Sequence, residues 1–333
     1  MERLTLTLAC GPYDRTEALR TGEVRPSGID LVYLSVKESR QAFSRMVKNN
    51  AFDLAEMSCA YYLGRKVQGG FPFVALPVFP SRRFRHGFVF VNAASGIETP
   101  KDLDGKRIGV PEYRVTAAVW VRGILRDEYG VDLRSVRWFE GGLNEPKSTQ
   151  RIASSSLVFE MADPVDIEPI PAGDSMSDML ARGALDALIS PRVPDSLSSS
   201  RMVRRLFPDH VEAEREYYGS TGIFPIMHTV VMKESLFERH PWVAESIYDA
   251  FVEARNVCWE LYHRSGALKT MLPWQHEATA EADDLFGSDF WAYGLEPNRK
   301  TLETLMRYLV QQGFLADIQP IDGLFAPVVE LNH

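Results

Sequence analysis

Cysteine is scarce in this chain: Cys10, Cys59 and Cys258 are scattered over 333 residues. No two are closely spaced, which excludes a disulfide framework and a cysteine-based zinc motif and reads each as a small buried apolar residue. Positive charge is also in deficit. With 37 Lys and Arg against 45 Asp and Glu, the net charge is -8, which argues against nucleic acid or an anionic membrane as the main partner. No apolar run approaches the roughly 18 residues of a membrane span. Met1-Glu2-Arg3 leads at once into the alternating segment 4–8, without the basic and apolar regions of an export signal, so the expected location is the cytoplasm. Walker-type glycine loops, a Gly-x-Ser-x-Gly elbow, a zinc-protease His-Glu pair, internal repeats and low-complexity tracts are all missing.

What is present is the pattern of a soluble α/β protein with a substantial core, 45% apolar and 25% charged. Strand-like segments at 4–10, 29–34, 52–57, 73–79 and 87–91 alternate with helical ones near 14–21, 38–49 and 59–67. Alternation of this kind implies a largely parallel sheet. The polar stretch 95–100 reads as a crossing into a second α/β set: strands at 107–110, 136–139, 166–170 and 187–190, helices at 116–129 and 175–182. Residues 151–162 fit no element, and 196–200 read as a polar loop. The extended segment 222–232 reads as a return crossing. Beyond it, Val243, Ile247, Phe251, Ala254 and Leu261 form a helical stripe. The expected organisation is therefore two lobes, 1–94 with 223–333 and 95–222, with a helical C-terminal region and a cleft between the lobes.

The most informative local pattern is Lys106-Arg107-Ile108-Gly109-Val110-Pro111-Glu112-Tyr113, followed by Arg114-Val115-Thr116. A short apolar strand, a proline-containing turn and a helix start converge there, placing free N–H groups and a positive dipole end at one spot. Glu112, Tyr113 and Thr116 sit on that turn; the alternative is an ordinary connection.

Ligands of open α/β sheets lie beyond the carboxyl ends of strands. Tyr13, Asp14 and Arg15 follow the first strand, and Glu56 and Ser58 follow the third. Ser81 to His86 packs Arg82, Arg83 and Arg85 beside His86, a local reversal of sign in an acidic chain. Arginine pairs carboxylates through two parallel hydrogen bonds, so this cluster suits a small anion; a solvated loop is the plain alternative. Arg192 follows the strand at 187–190. His86 and His228 can move a proton near neutral pH, or simply be hydrogen-bonded structural residues. Glu112 can orient a histidine, bind a hydroxyl or face the helix dipole.

Several blocks, in order through nearly the whole chain, carry a resemblance. They include Phe52-Asp53-Leu54-Ala55-Glu56-Met57-Ser58, Phe79-Pro80-Ser81-Arg82 continuing to Phe84-Arg85-His86, and Gly109-Val110-Pro111-Glu112-Tyr113 with Thr116-Ala117 and Trp120. Ile223-Phe224-Pro225-Ile226-Met227-His228, Leu272-Pro273-Trp274 and Asp289-Phe290-Trp291 follow. On these residues the chain resembles the 4,5-dihydroxyphthalate decarboxylase family, whose members look like type 2 periplasmic solute-binding proteins; 151–170 match that pattern least.

The resemblance implies loss of CO₂ from a dihydroxylated phthalate, giving 3,4-dihydroxybenzoate without an organic cofactor, and leaves a divalent metal open. A hydroxyl para to the departing carboxylate pushes electrons into the ring, the carbon is protonated, and CO₂ leaves. Arg82 with Arg85 or Arg192 would anchor the spectator carboxylate. Glu112 or His228 would favour phenolate character, and His86 would be the general acid, although exchanging the two histidines fits equally well. Arg15, Glu56, Ser58, Tyr113 and Thr116 complete the expected binding set. Rival readings are a solute receptor for an aromatic acid and a decarboxylase of another hydroxybenzoate. Aromatic residues in the C-terminal helices would suit a homodimer.

Overall fold

The computed structural model describes residues 3–146, 160–264, 266–287, 289 and 291–330. It divides into two compact units, Met1–Arg82 with Ile226–Glu303 and Gln319–His333, and Arg83–Pro225 with Thr304–Ile318. Most of the unassigned stretch, 151–159, lies outside the described residues.

The first unit is built on β1 (Leu4–Cys10), α1 (Glu17–Thr21), β2 (Ile29–Ser35), α2 (Ser39–Asn49), β3 (Leu54–Ser58), α3 (Cys59–Gln68) and β4 (Phe73–Arg82). β1 pairs in parallel with β2 and β3. The return strand β11 (Ile226–Lys233) inserts between β3 and β4, antiparallel to both, giving the order β2-β1-β3-β11-β4. The sheet is thus mixed rather than largely parallel. Leu8, Ala9, Leu54, Ala55, Leu76, Val230 and Val231 are fully buried, as expected for central strands covered on both faces. α2 ends where Asn50 adopts φ 50°, the left-handed cap that terminates a helix.

The second unit contains β5 (Val89–Asn92), β6 (Arg107–Val110), α4 (Thr116–Tyr129), β7 (Arg137–Glu140), β8 (Ile167–Pro169), α5 (Met176–Ala181), β9 (Ala187–Ile189), α6 (Ser196–Ser199), β10 (Val203–Arg205) and α7 (His210–Thr221). Its sheet runs β10-β5-β9-β6-β7-β8, parallel from β9 to β8 and antiparallel at the β10 end. The strand expected at 87–91 in the first lobe therefore belongs here, paired with β9 and β10. The expected loop at 196–200 forms a short helix, and β10 and α7 carried no clear sequence signal. α4 begins and ends where its pattern indicates. Its residues from Thr116 to Leu125 are buried, and Gly130 closes it at φ 66°.

The chain continues through α8 (Glu234–Arg239), α9 (Trp242–Arg264), α10 (Gln275–Phe286) and α11 (Arg299–Gln311); the division between units falls inside α11. In α9 the apolar stripe holds through Val243, Ile247, Phe251 and Ala254 and then passes to Cys258. Leu261 is 36% exposed, so the stripe stops one turn earlier than its spacing suggests.

Candidate functional site

In the first unit, β11 brings His228 opposite Ser58 and Val230 opposite Glu56. His228 and Glu56 thus lie diagonally on one face of adjacent strands, within reach of long side chains. The imidazole Nδ1 is 2.5 Å from Glu56 Oε1. The same oxygen accepts the Tyr13 hydroxyl at 2.6 Å, and Oε2 accepts the Gly11 N–H at 2.9 Å and the Cys10 thiol at 3.7 Å. Glu56 is fully buried. Burial by itself pushes its carboxyl upward, but the His228 charge and the hydrogen bonds from His228, Tyr13 and Gly11 outweigh it and hold the group below the usual carboxylate range. Tyr13 is driven the other way, by burial and then by the Glu56 charge, and so remains a donor. The edge of Phe43 packs on the imidazole at 5.0 Å.

A carboxylate on Nδ1 fixes the imidazole's tautomer and orientation. The opposite nitrogen is left for chemistry: His228 retains 21% side-chain exposure beside a Glu56 with none. The turn after β1 supplies the rest. Tyr33 donates to the Gly11 carbonyl at 2.6 Å. Arg15 packs over Tyr13 at 4.4 Å and Trp291 at 4.0 Å while donating to Pro80 O and Asp14.

Of the expected site residues, Glu56, Ser58 and His228 lie on this sheet and Arg15 in the turn that follows β1. Arg82 is in the same unit but does other work. β4 runs on through Ser81 and Arg82 instead of ending at 79, and the guanidinium turns inward to donate to Asn298 Oδ1 at 2.5 Å and Ala292 O at 2.7 Å. It ties β4 to residues 292 and 298, just before α11, and burial lowers it to about 10.

The remaining expected residues lie in the second unit. His86 is 2% exposed, ringed by Phe207, Tyr217 and Tyr129. Neither ring nitrogen has a hydrogen-bond partner among the described residues. Burial, then the proximity of His210, pushes it down to about 4. A neutral imidazole in an aromatic box is poorly suited to the general-acid role expected of it. Arg85 is buried beside it, reaching Pro191 O at 3.4 Å, and is lowered to about 9 by burial and then Arg83. Tyr113 is a core residue: Arg122 covers its ring at 3.7 Å, with Trp138 edge-on at 5.3 Å. Thr116 is buried in the first turn of α4, Glu112 is half-buried, and Arg192 is exposed. Tyr13 was a candidate from its place after the first strand, but Gly11 and Cys10 were missing from the expected site. Their position directly after a strand was the available signal, but nothing local ties them to residue 56.

No three His, Cys, Asp or Glu side chains gather as a metal-binding group among the described residues. No described helix is long and apolar enough to cross a membrane.

The fold is of the class found in type 2 periplasmic binding proteins. A periplasmic sulfonate-binding protein of an ABC transporter from Methylobacillus flagellatus aligns over 98% of this chain and 92% of its own, with TM-score 0.53 and 12% identity. The family profile described as "ABC transporter, phosphonate, periplasmic substrate-binding protein" matches residues 25–153.

Sequence comparison is more specific. A 4,5-dihydroxyphthalate decarboxylase from Comamonas testosteroni is 36% identical over 307 residues, covering 92% of this chain and 91% of the relative. One from Pseudomonas putida is 36% identical over 219 residues, 66% of this chain and 83% of the relative. The chain belongs to the 4,5-dihydroxyphthalate decarboxylase family.

Proposed function

We propose that this protein is a carboxy-lyase that converts 4,5-dihydroxyphthalate to 3,4-dihydroxybenzoate and CO₂. Family membership over nearly the full length supports the reaction class. The observation that carries the chemistry is the buried Glu56 carboxylate hydrogen-bonded to His228 Nδ1.

On this reading His228 is the general acid. Its Nδ1–H stays with Glu56, and its Nε2 proton goes to the ring carbon bearing the departing carboxylate. The electron pair for that new C–H bond comes from the ring, pushed by the para hydroxyl. The C–C bond to the carboxylate then breaks, its electrons restore the aromatic ring, and neutral CO₂ departs. The buried carboxylate stabilises the imidazolium before transfer, and positioned proton donors of this kind contribute about 10²–10⁴-fold. This assigns the proton to His228 in place of His86. We place the reaction in the cytoplasm as part of the same proposal; cell fractionation tests that location.

The experiment is turnover of 4,5-dihydroxyphthalate by the purified chain, with and without chelator, following 3,4-dihydroxybenzoate and CO₂ for wild type and His228→Asn. The expected result is stoichiometric conversion by wild type and a loss of at least about a hundredfold in the variant. Turnover by His228→Asn equal to wild type would remove the residue from the mechanism. The match of residues 25–153 to a substrate-binding profile favours a second reading, a receptor for an aromatic acid. Tight binding with no CO₂ released from any hydroxylated phthalate would select it.

A further inference from the structure

Arg15 is expected from its place in the sequence to bind substrate, yet its guanidinium is committed inside the protein. Nε and Nη2 both donate to the Pro80 carbonyl, at 2.8 and 2.5 Å, and Nη1 donates to Asp14 Oδ1 at 2.9 Å. The Tyr13 and Trp291 rings lie against the guanidinium, at 4.4 and 4.0 Å. We propose that Arg15 is a positioning residue for the proton donor: it holds Tyr13, Tyr13 holds Glu56, and Glu56 holds the His228 imidazole. Its importance to catalysis rests on the reading of His228 as general acid; the contacts themselves do not.

A bulge in β4 anchors this series of contacts. Val230 of β11 lies opposite Leu76 but His228 lies opposite Ser81, so residues 77–80 leave the ladder beside the imidazole. Bulges re-aim the groups around them, and Pro77 and Pro80 have no N–H to lose from the ladder. The carbonyls of the bulge serve other segments instead. Pro77 O accepts the Gly294 N–H at 2.8 Å, Phe79 O accepts the Trp291 indole N–H at 3.1 Å, and Pro80 O accepts the Arg15 fork. Arg15 and Trp291 are thus fixed to consecutive residues of one bulge, with the guanidinium over the indole.

Tyr13 is held from two directions. Arg15 covers its ring, and the ring also closes on the backbone of Gly11, where an added Cβ would lie 2.6 Å from it. Only glycine permits that approach. The hydroxyl then reaches Glu56 Oε1 at 2.6 Å, the oxygen that also meets His228 Nδ1, while the Gly11 N–H takes Oε2 at 2.9 Å. With a fixed donor on each oxygen the carboxylate keeps one orientation, and the imidazole follows it.

A substrate anchor needs a guanidinium edge free to present two parallel N–H groups to a carboxylate. The Nε–Nη2 edge of Arg15 is spent on Pro80, Nη1 serves Asp14, and the side chain is only 16% exposed. Asp14 is itself tied to α9, accepting the Tyr262 hydroxyl on Oδ2 at 3.0 Å. An arginine paired in this way offers a substrate little, whereas a guanidinium plane packed against two rings makes a rigid support.

The test compares the whole chain with Arg15→Met, Arg15→Lys, Tyr13→Phe and the Arg15→Met, Tyr13→Phe double variant. The readouts are steady-state turnover of 4,5-dihydroxyphthalate and NMR of protein carrying isotope-labelled histidine, with the His228 Nδ1–H signal identified by its absence from His228→Asn. In each single variant kcat should fall about tenfold or more while KM stays within about threefold. Arg15→Lys should lose as much as Arg15→Met, because it keeps the charge but not the fork or the plane; should either fold poorly, the other decides. The double variant should be no worse than the poorer single one, since the two residues act in series. Without substrate, the Nδ1–H signal should be protected from exchange in wild type and lost in the Arg15 and Tyr13 variants. A KM raised about tenfold with kcat kept in Arg15→Met, and recovered in Arg15→Lys, would make Arg15 a substrate anchor and overturn the proposal. Multiplying losses in the double variant, or an Nδ1–H signal unchanged in both Arg15 variants, would do the same. Because the NMR arm needs no turnover, a wild type that releases no CO₂ while the signal still depends on Arg15 defeats the decarboxylase reading and leaves the positioning role standing.

Discussion

Glu56 and His228 occupy diagonal positions on adjacent antiparallel strands, and the carboxylate oxygen of one lies 2.5 Å from Nδ1 of the other. The pair is asymmetric: the carboxylate is sealed and the imidazole is not. That arrangement resembles the carboxylate–imidazole half of hydrolytic triads in geometry and role, here with a tyrosine as an additional donor to the acid.

Glu56→Gln removes the charge while keeping the shape. The expected outcome is a loss of about 10²–10³ in kcat with KM changed only a few fold, because a neutral amide neither fixes the tautomer nor stabilises the imidazolium. Steady-state kinetics on a variant with unchanged circular dichroism checks it; a kcat within threefold of wild type would detach Glu56 from the chemistry.

His86 gives a pH signature in stability. Its folded-state pKa is about 4, against an ordinary 6.5. Between those values the unfolded chain binds a proton that the folded chain refuses, so stability rises with pH across the window. The full contribution is present above about pH 6.5 and is lost as pH falls toward 4, by up to about 3 kcal/mol. Thermal melts of wild type and His86→Leu at pH 7, 6, 5 and 4.5 test this. Parallel pH profiles for the two proteins would contradict it.

Arg82→Met separates a structural from a substrate-anchoring arginine. The substitution removes the buried donor to Asn298 Oδ1, while Ala292 O keeps the Asn298 amide, at a cost of about 1–3 kcal/mol. A lowered melting temperature with KM unchanged is expected. A large rise in KM without a change in melting would return Arg82 to the binding role its position in the sequence suggested.

Gly123 allows α4 and α11 to pack closely. A Cβ built there would lie 2.1 Å from the Tyr308 ring, so Gly123→Ala should destabilise by about 1–3 kcal/mol despite the better helix propensity of alanine. Adding Tyr308→Leu should recover part of the loss in a double-mutant cycle. Stabilisation by Gly123→Ala alone would show that the ring gives way freely.

The alternation of apolar strands and amphipathic helices is local information, and it placed α4 and β1 to the residue, because a helix stripe or a strand alternation depends on neighbours only a few positions away. The α/β class and the return of the chain near 226 were legible for the same reason. The family was legible because its motifs are contiguous. Sheet membership was not: β5 reads as the last strand of one set, yet pairs with β9 and β10, and pairing partners leave no mark on a single short strand.

The site divides along the same line. Residue types capable of proton transfer and anion binding were visible in the sequence, and Glu56, Ser58, Arg15 and His228 were among them. Burial and pairing were decided only in three dimensions. The 172-residue gap between Glu56 and His228 closes because β11 inserts beside β3. Arg82 and Tyr113 turn into the interior because β4 runs on past Phe79 and because Arg122 covers the tyrosine ring. His86 loses its proton affinity to the aromatic rings around it. A sequence lists which groups can ionise; the low-dielectric neighbourhood that sets each charge is assembled from distant segments, and it exists only once the chain has folded.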